Sequence, residues 1–117
     1  MRLLMRSRSG TEVKALKVLY CKPDEKTEVI DIPCELKAMQ DLVEGYIECV
    51  YPFDDPVALV CNSEGKLNAS APNRYIPGDL IFGPFFLVGL GDEDFVDFPE
   101  ELIDEYISKF DKASAYA

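Results

Sequence analysis

The residues best placed to do chemistry are Asn62, Glu64, Lys66, Asn73, Arg74 and Asp79, which mix amides with both signs of charge across one turn and the loop after it. Two readings compete. In the first, Asn62 and Glu64 only build a turn while Arg74 pairs with Asp79 to pin the loop. In the second, Lys66 and Arg74 stand at the mouth of a pocket and recognise an anion or a partner's carboxylates through charge-assisted hydrogen bonds. The structural reading carries more weight. The loop is nonetheless the candidate ligand- or partner-binding site, because binding residues gather on loops held by a rigid scaffold.

Other chemistries find little support. There is no histidine, which excludes Ser-His-Asp and Cys-His arrangements and with them the commonest base for nucleophilic catalysis. No stretch reads as a dinucleotide or phosphate-binding glycine loop; the run from Gly89 to Asp94 has two glycines, but the acids behind them repel phosphate. The acid clusters Asp54-Asp55 and Asp92-Glu93-Asp94 lack the spacing of a calcium loop and read as solvated loops. Cys21, Cys34, Cys49 and Cys61 form no C-x-x-C, so a zinc site would need four thiols gathered from four elements. They read instead as reduced thiols, mostly packed as small hydrophobes. The expectation is therefore no catalytic residue, no metal and no cofactor.

The elements that position these residues follow from composition and pattern. A chain of 117 residues, 48% hydrophobic and 11% aromatic, suits one globular domain. Its formal charge of -10 is uneven. Residues 1–22 hold six bases against one acid, +5, and the remainder holds six bases against 21 acids, -15. Such a body repels nucleic acid, because duplex binding needs phosphates neutralised by Lys and Arg. The basic start, residues 1–13, reads as a loose arm ahead of a single domain over 14–117. Charge interrupts that start within six residues, unlike a secretory leader, and no apolar run reaches the ~20 residues of a membrane span. A cytoplasmic setting is expected.

Ala15 to Cys21 reads as a central strand, joined to a second, Thr27 to Ile32, through a type I turn with Pro23. Leu36, Met39, Leu42 and Val43 fall at helical spacing, with Gly45 as the C-terminal stop. Tyr46 to Tyr51 alternates as a strand, with Ile47, Cys49 and Tyr51 as its more apolar side. The run Val57 to Cys61 is apolar throughout, as for a strand buried on both faces. The segment Asn62 to Lys66 reads as a hairpin turn in which Gly65 adopts positive φ. Leu67 to Gly78 reads as an irregular loop, Phe85 to Gly89 as a strand, and Gly83-Pro84 as a kink before it. Pro99 opens a second helix whose apolar stripe is Leu102, Ile103, Tyr106, Ile107 and Phe110. The expected fold is α+β, a mixed, largely antiparallel sheet of about five strands with two packed helices.

Several pieces together resemble a bacterial and phage family known as domain of unknown function 3846. They are the opening strand with its hairpin, the stretches from Leu42 to Glu48 and from Leu59 to Leu67, the run Pro72-Asn73-Arg74, and the stretch from Gly78 to Gly89. Their order covers roughly residues 14–110. The arm before Lys14 is extra, and Pro84 stands where a threonine is usual. The resemblance implies a setting among phages, mobile elements and gut-type bacteria, and it implies no activity or cofactor.

The function expected is a small, acidic, non-enzymatic binding or interaction module. Tyr46, Tyr51, Phe53, Tyr75, Phe82, Phe85 and Phe86 exceed what so small a core needs, so some should line a pocket or a homodimer face. Two alternatives come from other classes. One is a DNA mimic that blocks a host DNA-binding protein, suggested by the acidic body. The other is a protein that sequesters, or a small enzyme that acts on, an anionic metabolite through Lys66 and Arg74. The partner is thus an unidentified protein or a small anionic ligand.

Overall fold

A computed structural model describes residues 4–6, 12–65, 67 and 70–110. Among these described residues the strands are β1 (Leu4–Arg6), β2 (Glu12–Cys21), β3 (Glu28–Pro33), β4 (Ile47–Val50), β5 (Val57–Asn62), β6 (Pro72–Ile76), β7 (Asp79–Phe82), β8 (Phe85–Leu90) and β9 (Phe95–Val96). Two helices join them, α1 (Leu36–Val43) and α2 (Ile103–Lys109), the latter entered through a 3-10 turn at Glu100–Leu102. The architecture is α+β. Five antiparallel strands run β3-β2-β8-β5-β4, with β1 added to β2 and β9 to β8, while β6 and β7 form a separate two-stranded sheet.

Strand alternation divides the interior in two. Successive side chains point to opposite faces, so Leu16 and Val18 of β2 enter one core while Leu19 and Cys21 enter the other. In β8, Phe86 and Val88 join the first set, and Phe85 and Leu87 the second. All six residues of β5 are buried, as its unbroken apolar run anticipates for a strand covered on both sides. Met39 and Val43 of α1 close the first core. Ile81 of β7 with Phe98, Tyr106 and Phe110 closes the second. The molecule is therefore three layers, with the sheet between α1 and a cover made of α2 and the β6–β7 hairpin. The stripe expected on α2 is observed, with Tyr106 and Phe110 buried and Leu102, Ile103 and Ile107 packed around them. Phe53 meets both rings edge-on, at centroid distances of 5.2 and 6.1 Å.

Several local expectations give way. The arm is not separate from the domain: Leu4, Met5 and Arg6 pair with Lys14, Val13 and Glu12, and β2 begins before residue 14. The turn at Pro23 carries Asp24 at φ 61°, which a type I turn does not. At the end of α1 the left-handed residue is Glu44, at φ 65°, rather than Gly45. β5 does not turn back on itself after Asn62; the chain leaves the sheet for β6. Nor does Gly65 have positive φ. It is glycine because a Cβ there would stand 2.6 Å from the Phe82 carbonyl oxygen. The loop expected over Leu67 to Gly78 contains β6, turned into β7 by Pro77 and by Gly78 at φ 84°, the pattern of a type II turn.

Candidate functional site

The five described members of the polar set singled out by the sequence do not form one cluster. Asn62, at the end of β5, is buried. Its Nδ2 donates to the carbonyls of Val43 and Glu44, at 3.1 and 3.2 Å, and its Oδ1 accepts the Glu64 N–H at 2.7 Å. It therefore caps the orphan carbonyls at the end of α1 while setting the turn that follows β5. Gly45 is its counterpart, since a Cβ there would come within 2.6 Å of Nδ2.

Asn73 and Arg74 belong to a second, fully internal cluster, only 1% and 2% exposed. A guanidinium has five N–H donors, and all five are engaged. Nε and Nη2 reach the Phe110 carbonyl at 3.1 and 3.0 Å, Nη2 also donates to the Glu25 carbonyl, and Nη1 reaches the Lys22 carbonyl and Asn73 Oδ1 at 3.2 and 2.6 Å. Asn73 Nδ2 in turn donates to the Cys21 and Gly83 carbonyls. The Phe110 carbonyl also accepts from Thr27 Oγ1 at 3.0 Å. One arginine thus ties the β2–β3 turn, the β6–β7 hairpin and the end of α2 together. This corrects both sequence readings of Arg74. It is structural, but its partners are carbonyls and an amide in place of Asp79, and no donor remains for an anion at a pocket mouth.

Glu64 and Asp79 are exposed and share a groove of about 400 Å³ on the α2 side of the sheet. Its walls are β4, the turn after β5, and β7. Val50, Cys61 and Ile81 make an apolar floor, and Asn62 reaches its edge. Glu48 completes the acidic rim; it points to the face opposite Ile47 and Cys49, which pack with the α1-side core. Tyr51, expected beside them, is exposed. Glu48 is not among the residues singled out above, although a lone charge out of phase with its apolar neighbours is a usable signal. Lys66 lies outside the described residues. Burial, assisted by Glu48, Cys49 and Asp79, pushes the Cys61 thiol up to about 11, so it remains protonated at neutral pH.

The remaining candidates resolve by position. Cys21 and Cys61 lie in one core, while Cys34 and Cys49 pack against the other, so the sheet separates the four thiols and denies them a common metal centre. All four are free. Burial also raises Cys21 to about 11, against the lowering influence of Thr27 and Arg74. Asp55 accepts the Tyr106 hydroxyl at 2.7 Å; burial first, and this carboxylate second, hold that phenol well above its usual range. Phe85 and Phe86 are core residues, whereas Tyr46, Tyr51 and Tyr75 are exposed. Among the described residues no helix is long and apolar enough to cross a membrane.

Among curated proteins and among solved structures no significant match was found. The match that does appear spans the sheet, the Arg74 cluster and the groove alike: residues 16–111 fit the family described as Domain of unknown function (DUF3846), and the chain belongs to that family.

Proposed function

We propose that this protein is a non-enzymatic interaction module of a phage or mobile element, whose groove receives a basic segment of a protein partner. The observation that carries this reading is the rim of Glu48, Glu64 and Asp79 around an apolar floor. Carboxylates at the edge of a low-dielectric surface favour cations, and the floor favours the aliphatic stem of a lysine or arginine. Anion capture loses its main support, since the donors of Arg74 are all engaged. Among the described residues neither Glu48 nor Glu64 has an ion-pair partner.

A DNA mimic would also attract basic proteins, but through total charge rather than one groove. The two readings separate in a titration of a fluorescent octapeptide of alternating lysine and valine. Reversing Glu48 and Glu64 to lysine should weaken binding more than about tenfold, since two charge-assisted contacts of ~1.5–3 kcal/mol are lost. Reversing Asp92 and Glu93, with the same change in charge, should alter it less than about threefold, by screened long-range attraction. Equal losses would favour mimicry, and failure of the unaltered protein to bind would refute the groove.

A further inference from the structure

β4 ends the five-strand path, and among the described residues it pairs with β5 alone. The ladder fixes which of its backbone groups are free. Ser63 N–H donates to the Tyr46 carbonyl at 2.9 Å, and the register runs Ile47 to Asn62, Glu48 to Cys61, Cys49 to Val60 and Val50 to Leu59. In an antiparallel pair, inward bonding alternates along the strand. The inward set is therefore Tyr46, Glu48 and Val50, and the N–H and C=O groups of Ile47 and Cys49 point out from the sheet. The other end of the path is better guarded. β3 carries Glu28 and Asp31, both exposed, and closes on Pro33, all features that discourage a further strand. β4 has a single charge, Glu48, and it lines the groove rather than blocking the edge. Exposed Tyr46 and Tyr51 flank the strand.

From this geometry we infer that the partner segment binds as an added antiparallel strand on β4, with basic side chains at alternate positions facing the groove. The inference rests on the reading of the groove as a site for a basic segment, and it specifies how that segment lies. Side chains directly opposite across a ladder share a face. A residue of the incoming strand facing Glu48 therefore projects to the groove side, where Glu64 and Asp79 also stand. Its neighbours, opposite Ile47 and Cys49, project to the α1 side, where apolar residues suit the partly buried surface of those two. Main-chain bonds to Ile47 and Cys49 supply affinity and the alternating side chains supply selectivity, as in other strand additions. Charge also chooses among occupants. A second copy pairing β4 with β4 across a two-fold axis would bring the two Glu48 carboxylates together between two acidic bodies, which is repulsive.

Peptide backbone methylation tests this without altering the protein. The probes are the alternating lysine–valine octapeptide, its isomer with the lysines in one block, and two N-methylated forms. With lysines facing Glu48, the valines are the residues hydrogen-bonded to Ile47 and Cys49. Methylating two central valine nitrogens should weaken binding at least about tenfold, as two strand bonds are removed. Methylating two central lysine nitrogens, which point away from β4, should change it less than about threefold, within the range of a peptide conformational effect. The blocked isomer should bind at least about tenfold more weakly than the alternating peptide, because strand alternation leaves only about half of its lysines on the groove side and turns the rest toward the apolar α1 side. If both methylated forms bind like the parent while Glu48→Lys still abolishes binding, the groove reading stands and strand addition is overturned. If the parent binds equally to wild type and Glu48→Lys, the groove reading itself fails. A dimer in sedimentation that the peptide cannot dissociate would assign the edge to a second copy, and would also overturn the proposal.

Discussion

The Arg74 cluster and the Glu48 groove lie on the same side of the sheet, and both are built partly from the β6–β7 hairpin, yet they treat polar groups in opposite ways. Around Arg74 every donor is spent on a backbone carbonyl or on Asn73, and the side chain is 2% exposed. At the groove, carboxylates from β4, from the turn after β5 and from β7 face solvent across an apolar floor. A buried charge is tolerated only when its hydrogen-bonding capacity is met, so the first arrangement holds the fold and has nothing left for a ligand. Exposed carboxylates such as Glu48 and Glu64, which have no ion-pair partner among the described residues, add little to stability and keep their accepting oxygens turned to solvent. Polar side chains thus divide into a closed clamp and an open rim, the receptor proposed above, according to where the chain carries them.

The sharpest division between the two regions should come from Arg74→Ala. It leaves the Lys22 and Glu25 carbonyls and Asn73 Oδ1 without this donor, and takes two of three donors from the Phe110 carbonyl. Hydrogen bonds to a charged group contribute ~1.5–3 kcal/mol each, though not additively, so urea denaturation should reveal a loss of about 3 kcal/mol or more. Arg74→Lys should recover little of it, because an ammonium cannot supply the planar fork. A loss below about 0.5 kcal/mol, the scale of an ordinary surface substitution, would break the comparison.

A smaller effect is expected at Asn62, which caps the end of α1 and reaches the edge of the groove. Asn62→Ala frees the Val43 and Glu44 carbonyls and loosens the turn bearing Glu64. The cost should be about 1–2 kcal/mol, the scale of a lost buried hydrogen-bonding group, and peptide binding should weaken as well. Intact binding with reduced stability would show that the turn is not set by this side chain.

The two buried thiols give the smallest and most gradual signal. Cys21 and Cys61 are raised from 9.0 to about 11, so the folded state holds its protons where the unfolded chain has begun to lose them. The stability they confer is fully present below pH 9, declines as pH rises, and is gone above about pH 11. Thermal midpoints measured across that window should fall more steeply for wild type than for Cys61→Ala. Parallel pH profiles would mean that Cys61 titrates alike in both states.

Much of this fold was legible in the sequence because its signals were local. The apolar run of β5, the alternation of β4 and the 3.6-residue stripe of α2 each named an element, although β4 packs on both faces, Ile47 and Cys49 toward one core and Val50 toward the other. β6 was missed because Pro72, Asn73 and Arg74 look like loop residues, and only pairing with β7 makes them a strand. The Pro77-Gly78 turn was the available clue. The role of Arg74 left no trace, since backbone carbonyl acceptors have no side-chain signature. Of the residues singled out, Glu64, Asp79 and the edge of Asn62 line the groove, whereas Asn73 and Arg74 are spent on the fold. Glu48 joins Glu64 and Asp79 only because the fold brings β4, the turn after β5 and β7 around one groove, a relation that no spacing along the chain encodes.

Amide hydrogen exchange, with and without the alternating lysine–valine octapeptide, follows both regions in one measurement. The account predicts added protection in β4, with Ile47 and Cys49 slowed most, and in the turn from Ser63 to Gly65. It predicts no change at Glu25, Asn73, Arg74 or Phe110, whose surroundings are already closed. Protection centred on the Arg74 cluster, with β4 exchanging as in the free protein, would contradict the division between clamp and receptor.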